Sequence, residues 1–180
     1  MLKIAVCDDV KKQTAFLEQT LADIFAGLGL EHKTDVFLSA DNLCRALESG
    51  ERYHLIFLDI EFPESEVNGI QAGHFIRNTL RDNDTSIVFI SRIKSHSLVL
   101  HKIHPLEFLI KPLTREKIEE AVQLYFEIPK LNGEGVDEFA YKRGHTACRV
   151  RNRTSSIWKL RGAKSLSTIA MAQKTIFTAR

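Results

Sequence analysis

The chain has 180 residues and, with 25 Lys plus Arg against 23 Asp plus Glu, a formal charge of +2. That balance conceals a split: residues 139–180 carry 10 basic and no acidic side chains, so the first 138 residues hold 15 basic against 23 acidic, a formal −8. The apolar runs fall far short of the ~20 residues that span a bilayer, Asp8 and Asp9 arrive too early for a secretory signal, and Cys7, Cys44 and Cys148 are odd in number with no CxxC spacing, which excludes a disulfide framework and a cysteine zinc site.

A cytoplasmic chain is expected, with no membrane partner. Its acidic part is long enough to bury one core, and its basic tail points toward an anionic partner such as nucleic acid.

The first 126 residues alternate between two hydrophobic periods. Leu2–Cys7 is a short apolar run that ends in Asp8-Asp9 and predicts a buried strand. Leu17, Leu21, Ile24 and Leu28 recur at helical spacing, and Gly27 and Gly29 mark that helix's end. Residues 34–38 predict a second strand. Ser39 suits the cap of a short helix holding Leu43 and Leu47 and stopped by Gly50. Residues 54–60 predict a third strand and 71–80 a third helix. Ser86–Ser91 predicts a fourth strand, 95–103 a fourth helix, and Glu107–Ile110 a fifth strand. Thr114 then caps a last helix with Ile118, Ala121, Val122 and Tyr125 on one face.

Strict alternation of five strands and five helices implies an α/β fold, a doubly wound five-stranded parallel sheet covered on both sides. The strands are near-continuous apolar runs, as expected when both sheet faces are buried. The organisation expected is one domain over 1–128, a linker over 129–137 opened by Pro129, and a small irregular or β-rich segment over 138–180. Residues 139–141 and 146–150 read as two short strands around Arg143-Gly144. From Arg151 onward no apolar face is sustained, which predicts partial disorder.

In an open parallel sheet, ligands bind at the carboxyl ends of the strands. The first strand delivers Asp8 and Asp9 there, the third Asp59, the fourth Ser91, and the fifth Lys111 followed by Pro112. Carboxylates held together repel one another unless a cation sits among them, and an all-oxygen ligand set supplemented by water suits Mg²⁺. A carboxylate with a free oxygen can attack a phosphoryl donor and form an acyl phosphate. Lys111 would supply a point charge for the transferring oxygens, and Ser91 a hydrogen bond to the product.

With those motifs in that order, residues 1 to about 125 resemble the receiver domain of two-component response regulators. The resemblance implies the flavodoxin-like strand order 2-1-3-4-5, which the receiver CheY shares. It implies that Asp59 is the phosphoacceptor, taking its phosphoryl group from a sensor histidine kinase. Asp9 and Asp59 would bind Mg²⁺ directly, Asp8 largely through water, and the backbone carbonyl of Glu61 would complete the protein ligands. Phe108, three residues before Lys111, matches the switch aromatic, expected to rearrange with Ser91. The Lys111–Pro112 bond is cis in that family. A receiver-receiver homodimer is a further implied partner. Such a domain is no enzyme beyond accepting phosphoryl groups from small donors and releasing them.

The loop after Asp59, with Pro63 and Gly69, and the string HPLEFLIKP at 104–112 are similar to receivers attached to LytTR-type DNA-binding domains. EFAYKRGHTACRV at 138–150 resembles the opening strands of a LytTR domain. Residues 151–180 depart from that pattern, which implies an incomplete output domain and makes DNA a doubtful partner for it. Two other functions compete: a decoy that takes phosphate from a kinase without touching DNA, and a Mg²⁺-dependent phosphohydrolase with Asp8 as nucleophile. The second is disfavoured because Val10 stands where its second aspartate belongs. His96, His101 and His104, at i, i+5 and i+8, share no helical face and predict surface or structural roles rather than a metal site.

In the adjacent reading frame, permitted codons from Thr154 onward allow a string similar to LytTR strand sequence. The hypothesis is a frameshifted tail on a truncated output domain. The nucleotide sequence is expected to continue in that frame as an open, strand-patterned stretch; a frame closed by stop codons would exclude it.

Overall fold

A computed structural model describes residues 1–98 and 100–127, together with the backbone of 138–143, 146–151 and 159–161. The chain divides into two units, Met1–Asn132 and Gly133–Arg180.

In the first unit the elements follow one another as β1 (Leu2–Cys7), α1 (Lys11–Leu28), β2 (His32–Phe37), α2 (Ala40–Glu48), β3 (Leu55–Asp59), α3 (Gly69–His74), β4 (Ser86–Ser91), β5 (Glu107–Ile110) and α4 (Arg115–Glu127). The five strands pair in parallel in the order β2-β1-β3-β4-β5. This is the doubly wound arrangement expected from the sequence. Every residue of β3 is buried, because helices cover both faces of a central parallel strand. Ala5, Cys7, Ile56, Leu58, Ile87 and Phe89 point to one face, where they meet Leu43 and Leu47 of α2, Ala72 of α3, and Ile76. The alternate residues Ile4, Val6, Phe57, Val88 and Ile90 are equally buried. Helices α1 and α4 contact each other and bury Leu17, Leu21, Ile24 and Phe25 from one and Ile118, Ala121, Val122 and Tyr125 from the other.

Local chemistry sets the helix ends. Gly29 closes α1 in the left-handed conformation at φ 67°, which glycine adopts at no steric cost. The Ser39 side chain accepts from the Asn42 amide and caps α2 as expected. Asn68 caps α3 reciprocally: its side chain accepts from the Gln71 amide, and the Gln71 side chain accepts from the Asn68 amide.

Two expected helices differ. The third is α-helical only over Gly69–His74 and widens into a π-helical turn at Phe75–Thr79. That turn carries Arg77, whose guanidinium donates to the carbonyls of Ile103, Asp82 and Thr85. The fourth, expected over 95–103, is replaced by two 3₁₀ turns, Lys94–Leu98 and Leu100–Ile103. Ser95, His96 and Ser97 are weak helix formers. The Ser97 hydroxyl bonds the Lys94 carbonyl at 2.9 Å, the local competition that draws short polar side chains out of regular helix. Leu100 and Ile103 are fully buried and anchor the segment.

In the second unit, β6 (Glu138–Arg143), β7 (Thr146–Arg151) and β8 (Lys159–Arg161) form an antiparallel sheet in that order. The two expected strands are present and slightly longer than the sequence suggested. Strand β8 lies in the stretch after residue 151 to which the sequence pattern assigned no element. The linker at 129–137 with Pro129, and the remainder of the tail, lie outside the described residues. Among the described residues no helix is long and apolar enough to cross a membrane.

Gly69 packs against the strand that carries Asp59. A Cβ there would stand 1.9 Å from the Asp59 carbonyl oxygen and 2.8 Å from the Ile60 Cα, both backbone atoms. At Gly73 a Cβ would meet instead the Phe89 ring at 2.7 Å, a side chain able to shift. Gly69→Ala is therefore expected to destabilise by about 2–3 kcal/mol and Gly73→Ala by less, as overpacking does when backbone must move. Urea unfolding of both variants checks this; equal losses would show that the backbone contact is not decisive.

Candidate functional site

The site forms where β1, β3, β4 and β5 end at one rim of the sheet. Strand register puts it there: Cys7 lies beside Leu58, Asp59 beside Ile90, and Ser91 beside Ile110. Backbone bonds beyond the strands hold the rim together, from the Asp8 amide to the Phe37 carbonyl, from Ile60 to Ile90, and from Lys111 to Ser91.

Three carboxylates converge here. One oxygen each from Asp8, Asp9 and Asp59 lies within 4.8 Å of the others, with Asp8 and Asp59 buried and Asp9 exposed to solvent. The Lys111 ammonium bridges the two buried ones, donating to Asp8 Oδ2 at 2.9 Å and to Asp59 Oδ2 at 2.6 Å, with its side chain 7% exposed. Asp59 Oδ1 accepts from the Glu61 amide at 3.3 Å. Asp8 Oδ1 accepts from the Val10 amide at 2.9 Å.

The electrostatics follow from this packing. Burial pushes the Asp59 carboxyl up to about 6; the Lys111 hydrogen bond opposes the rise, and the Asp8 charge adds to it. Burial also works against the Lys111 ammonium, but its bonds to Asp59 and Asp8 outweigh that and hold its pKa above the ordinary lysine value. A further lysine supports the first. Lys117, in the opening turn of α4, donates to the carbonyls of Ile110 and Pro112 at 2.8 and 2.9 Å, the residues on either side of Lys111. The Lys111–Pro112 peptide bond is cis.

Thus Asp8, Asp9, Asp59 and Lys111 meet as the sequence implied. Ser91 is fully buried at the same rim. Its hydroxyl accepts from the Ile93 amide at 2.9 Å and lies 3.2 Å from Glu61 Oε1 and 3.0 Å from His96 Nδ1. Phe108, beside Phe89 in the sheet, is half-buried against the core. Two residues of this neighbourhood escaped the sequence reading. Lys117 carries no signal beyond lying six residues past Lys111. His96 is expected from sequence only to be a surface or structural residue, and its place beside Ser91 depends on the 3₁₀ turn after β4.

Comparison with known proteins agrees with this fold. No family model matches the chain. Among solved structures, the DrrB receiver domain activated with BeF₃ is similar at a TM-score of 0.58 and 21% identity, covering 71% of this chain and 99% of that one. TrrA of Thermotoga maritima, a response regulator in complex with Mg²⁺ and BeF, gives 0.58 at 22% identity, covering 69% and 99%. The response regulatory domain of MrkE from Klebsiella pneumoniae gives 0.59 at 18%, covering 69% and 95%. The first unit therefore has the fold of a response-regulator receiver domain.

A curated protein is similar in sequence over part of its length. The sensory transduction protein LytT of Oceanobacillus iheyensis is 32% identical over 97 residues, which cover 52% of this chain and 39% of that protein's length.

Lys111→Met leaves Asp8 and Asp59 facing each other without their shared cation. It is expected to destabilise the metal-free protein by about 3 kcal/mol, as unpairing a buried charge does. With Lys111 in place folding already raises the Asp59 pKa from 3.8 to about 6; the variant removes the lysine's opposing effect, so its folded state takes up a proton at that pH or above while the unfolded chain does not. Acidification from pH 7 to 5 is then expected to recover part of the loss. Urea titrations at the two pH values measure it, and a loss that grows on acidification would contradict the charge assignment.

Proposed function

We propose that the first unit is a phosphoacceptor switch of a two-component signalling system, with Asp59 as the residue modified. The observation that carries this reading is the buried Asp59 carboxylate held between Lys111 and the acidic pair Asp8-Asp9. In the reaction, an Asp59 oxygen attacks the phosphorus of a phosphohistidine on a sensor histidine kinase. The phosphorus–nitrogen bond breaks, the imidazole leaves, and an acyl phosphate remains on Asp59. Lys111, already bonded to an Asp59 oxygen, lies where it can follow the charge onto the phosphoryl oxygens.

The carboxylate set suits a hard divalent cation. Asp9 and Asp59 would hold Mg²⁺ directly, Asp8 largely through water, and the Glu61 backbone carbonyl would complete the protein ligands. Bound there, Mg²⁺ would neutralise charge on the transferring group and bring the three carboxylates together without mutual repulsion. Ser91 and Phe108 serve as the switch pair, since they lie on adjacent strands, Ser91 at the rim and Phe108 two positions short of it. Chemistry at the site is confined to accepting phosphoryl groups, from the kinase or from small donors, and to their hydrolytic release.

The domain acts in the cytoplasm. The resemblance of residues 104–112 and 138–150 to LytTR-type regulators supports a role in transcription control, with a receiver-receiver dimer on DNA as the active form. Ten basic side chains at 139–180 support contact with DNA phosphates through the second unit. A decoy acting on the kinase alone is the alternative, and a gel-shift series at rising salt separates them: a specific complex favours the regulator, none favours the decoy.

Acetyl phosphate with Mg²⁺ is expected to add one phosphoryl group to the wild-type protein, read as a mass increase on the peptide containing Asp59. Asp59→Asn is expected to abolish it, and chelation of the metal to reduce it at least tenfold. Modification persisting in Asp59→Asn at wild-type level would overturn the assignment.

A further inference from the structure

We propose that His96 is a latch that holds the Ser91 hydroxyl away from the phosphoacceptor, so that the imidazole is a third member of the switch, opposing it. This inference rests on Asp59 being the phosphoacceptor.

A serine hydroxyl has one proton and two lone pairs. At Ser91 one lone pair is occupied by the Ile93 amide, 2.9 Å away. The Glu61 carboxylate at 3.2 Å and the His96 Nδ1 at 3.0 Å lie on the remaining hydrogen-bonding positions. A carboxylate only accepts. The single hydroxyl proton therefore goes to Glu61, to His96 Nδ1 or to the more distant Ile93 carbonyl at 3.4 Å, and an imidazole N–H fills the second lone pair when Nδ1 carries the proton. A phosphoryl group on Asp59 also needs that proton. Donation to the phosphoryl oxygen and donation within the Glu61–Ser91–His96 cluster are mutually exclusive.

The latch is placed by backbone structure. His96 sits in the 3₁₀ turn Lys94–Leu98, and its amide bonds the Ile93 carbonyl at 3.2 Å. The same residue, Ile93, donates its own amide to Ser91. Release of the hydroxyl thus also loosens the turn that follows β4. Only interactions that differ between the two states of a switch can bias it. The imidazole bond belongs to the resting arrangement, so removing it favours the phosphoryl-bound one.

The test uses the full chain with Mg²⁺ and beryllofluoride, which takes the place of a phosphoryl group on a carboxylate, followed by calorimetric titration. His96→Leu is expected to lower the apparent Kd for beryllofluoride by roughly three- to tenfold, the size of one net hydrogen bond. The Kd for Mg²⁺ alone, which does not involve Ser91, is expected to stay within about twofold of wild type. His96→Asn, whose amide reaches the position of Nδ1, is expected to restore the wild-type beryllofluoride Kd. Equal or weaker beryllofluoride binding by His96→Leu, with wild type binding normally, overturns the latch alone. Improved binding that His96→Asn does not reverse also overturns it, because the effect then comes from something other than the hydrogen bond. Failure of wild type to bind beryllofluoride at all, with Asp59→Asn no different, overturns the phosphoacceptor reading and the latch with it.

Discussion

Two buried carboxylates 103 and 52 residues away from Lys111 in sequence share its single ammonium, at 2.9 and 2.6 Å. Each of the three ionised groups would be expensive to bury alone, and their mutual attraction is what allows all of them to sit at the sheet rim. The compensation is incomplete: Asp59 still has its carboxyl pushed up to about 6 by burial. With Asp9 beside them the carboxylates outnumber the ammonium, and an acidic excess of this kind is the physical basis on which a divalent cation is proposed for the site.

Around this cluster the protein places rigid and yielding parts in different positions. On the rigid side, Asp59 ends a strand buried along its whole length, and Gly69 presses on its carbonyl with no room for a side chain. Lys117 grips the carbonyls before and after Lys111, fixing the loop from which the ammonium projects. On the yielding side, the segment after Ser91 is built from two 3₁₀ turns in place of a helix. Its polar first turn is exposed, while Leu100 and Ile103 bury the second and Arg77 ties the Ile103 carbonyl to the preceding loop.

Much of the fold was legible in the sequence, for identifiable reasons. The apolar runs at Leu2–Cys7, Ser86–Ser91 and Glu107–Ile110 are bounded by charged or hydroxylated residues, so their ends are marked and the structure places them where the pattern does. Ser39 and Gly29 act locally, through one cap bond and one left-handed turn. The third helix was misread because its geometry depends on partners distant in sequence, and the fourth because short polar side chains compete locally with helical bonds. The π-helical turn carries Arg77 to carbonyls on two other segments, and hydroxyl side chains in 94–98 compete with helical bonds. The short strand Lys159–Arg161 was missed because it has no periodic signal of its own and exists by pairing with β7.

The sequence by itself determined which side chains end the strands, because hydrophobic runs and their polar terminators are properties of consecutive residues. Asp8, Asp9, Asp59, Ser91 and Lys111 could be named from that alone. Tertiary structure decided how those groups share protons and charge. Whether Lys111 bonds one carboxylate or two, which neighbours bond the Ser91 hydroxyl, and that His96, five residues on, is one of them depend on distances of about 3 Å that the folded backbone sets. Hydrogen bonds at that range are set by packing and backbone turns, and no spacing along a sequence encodes them.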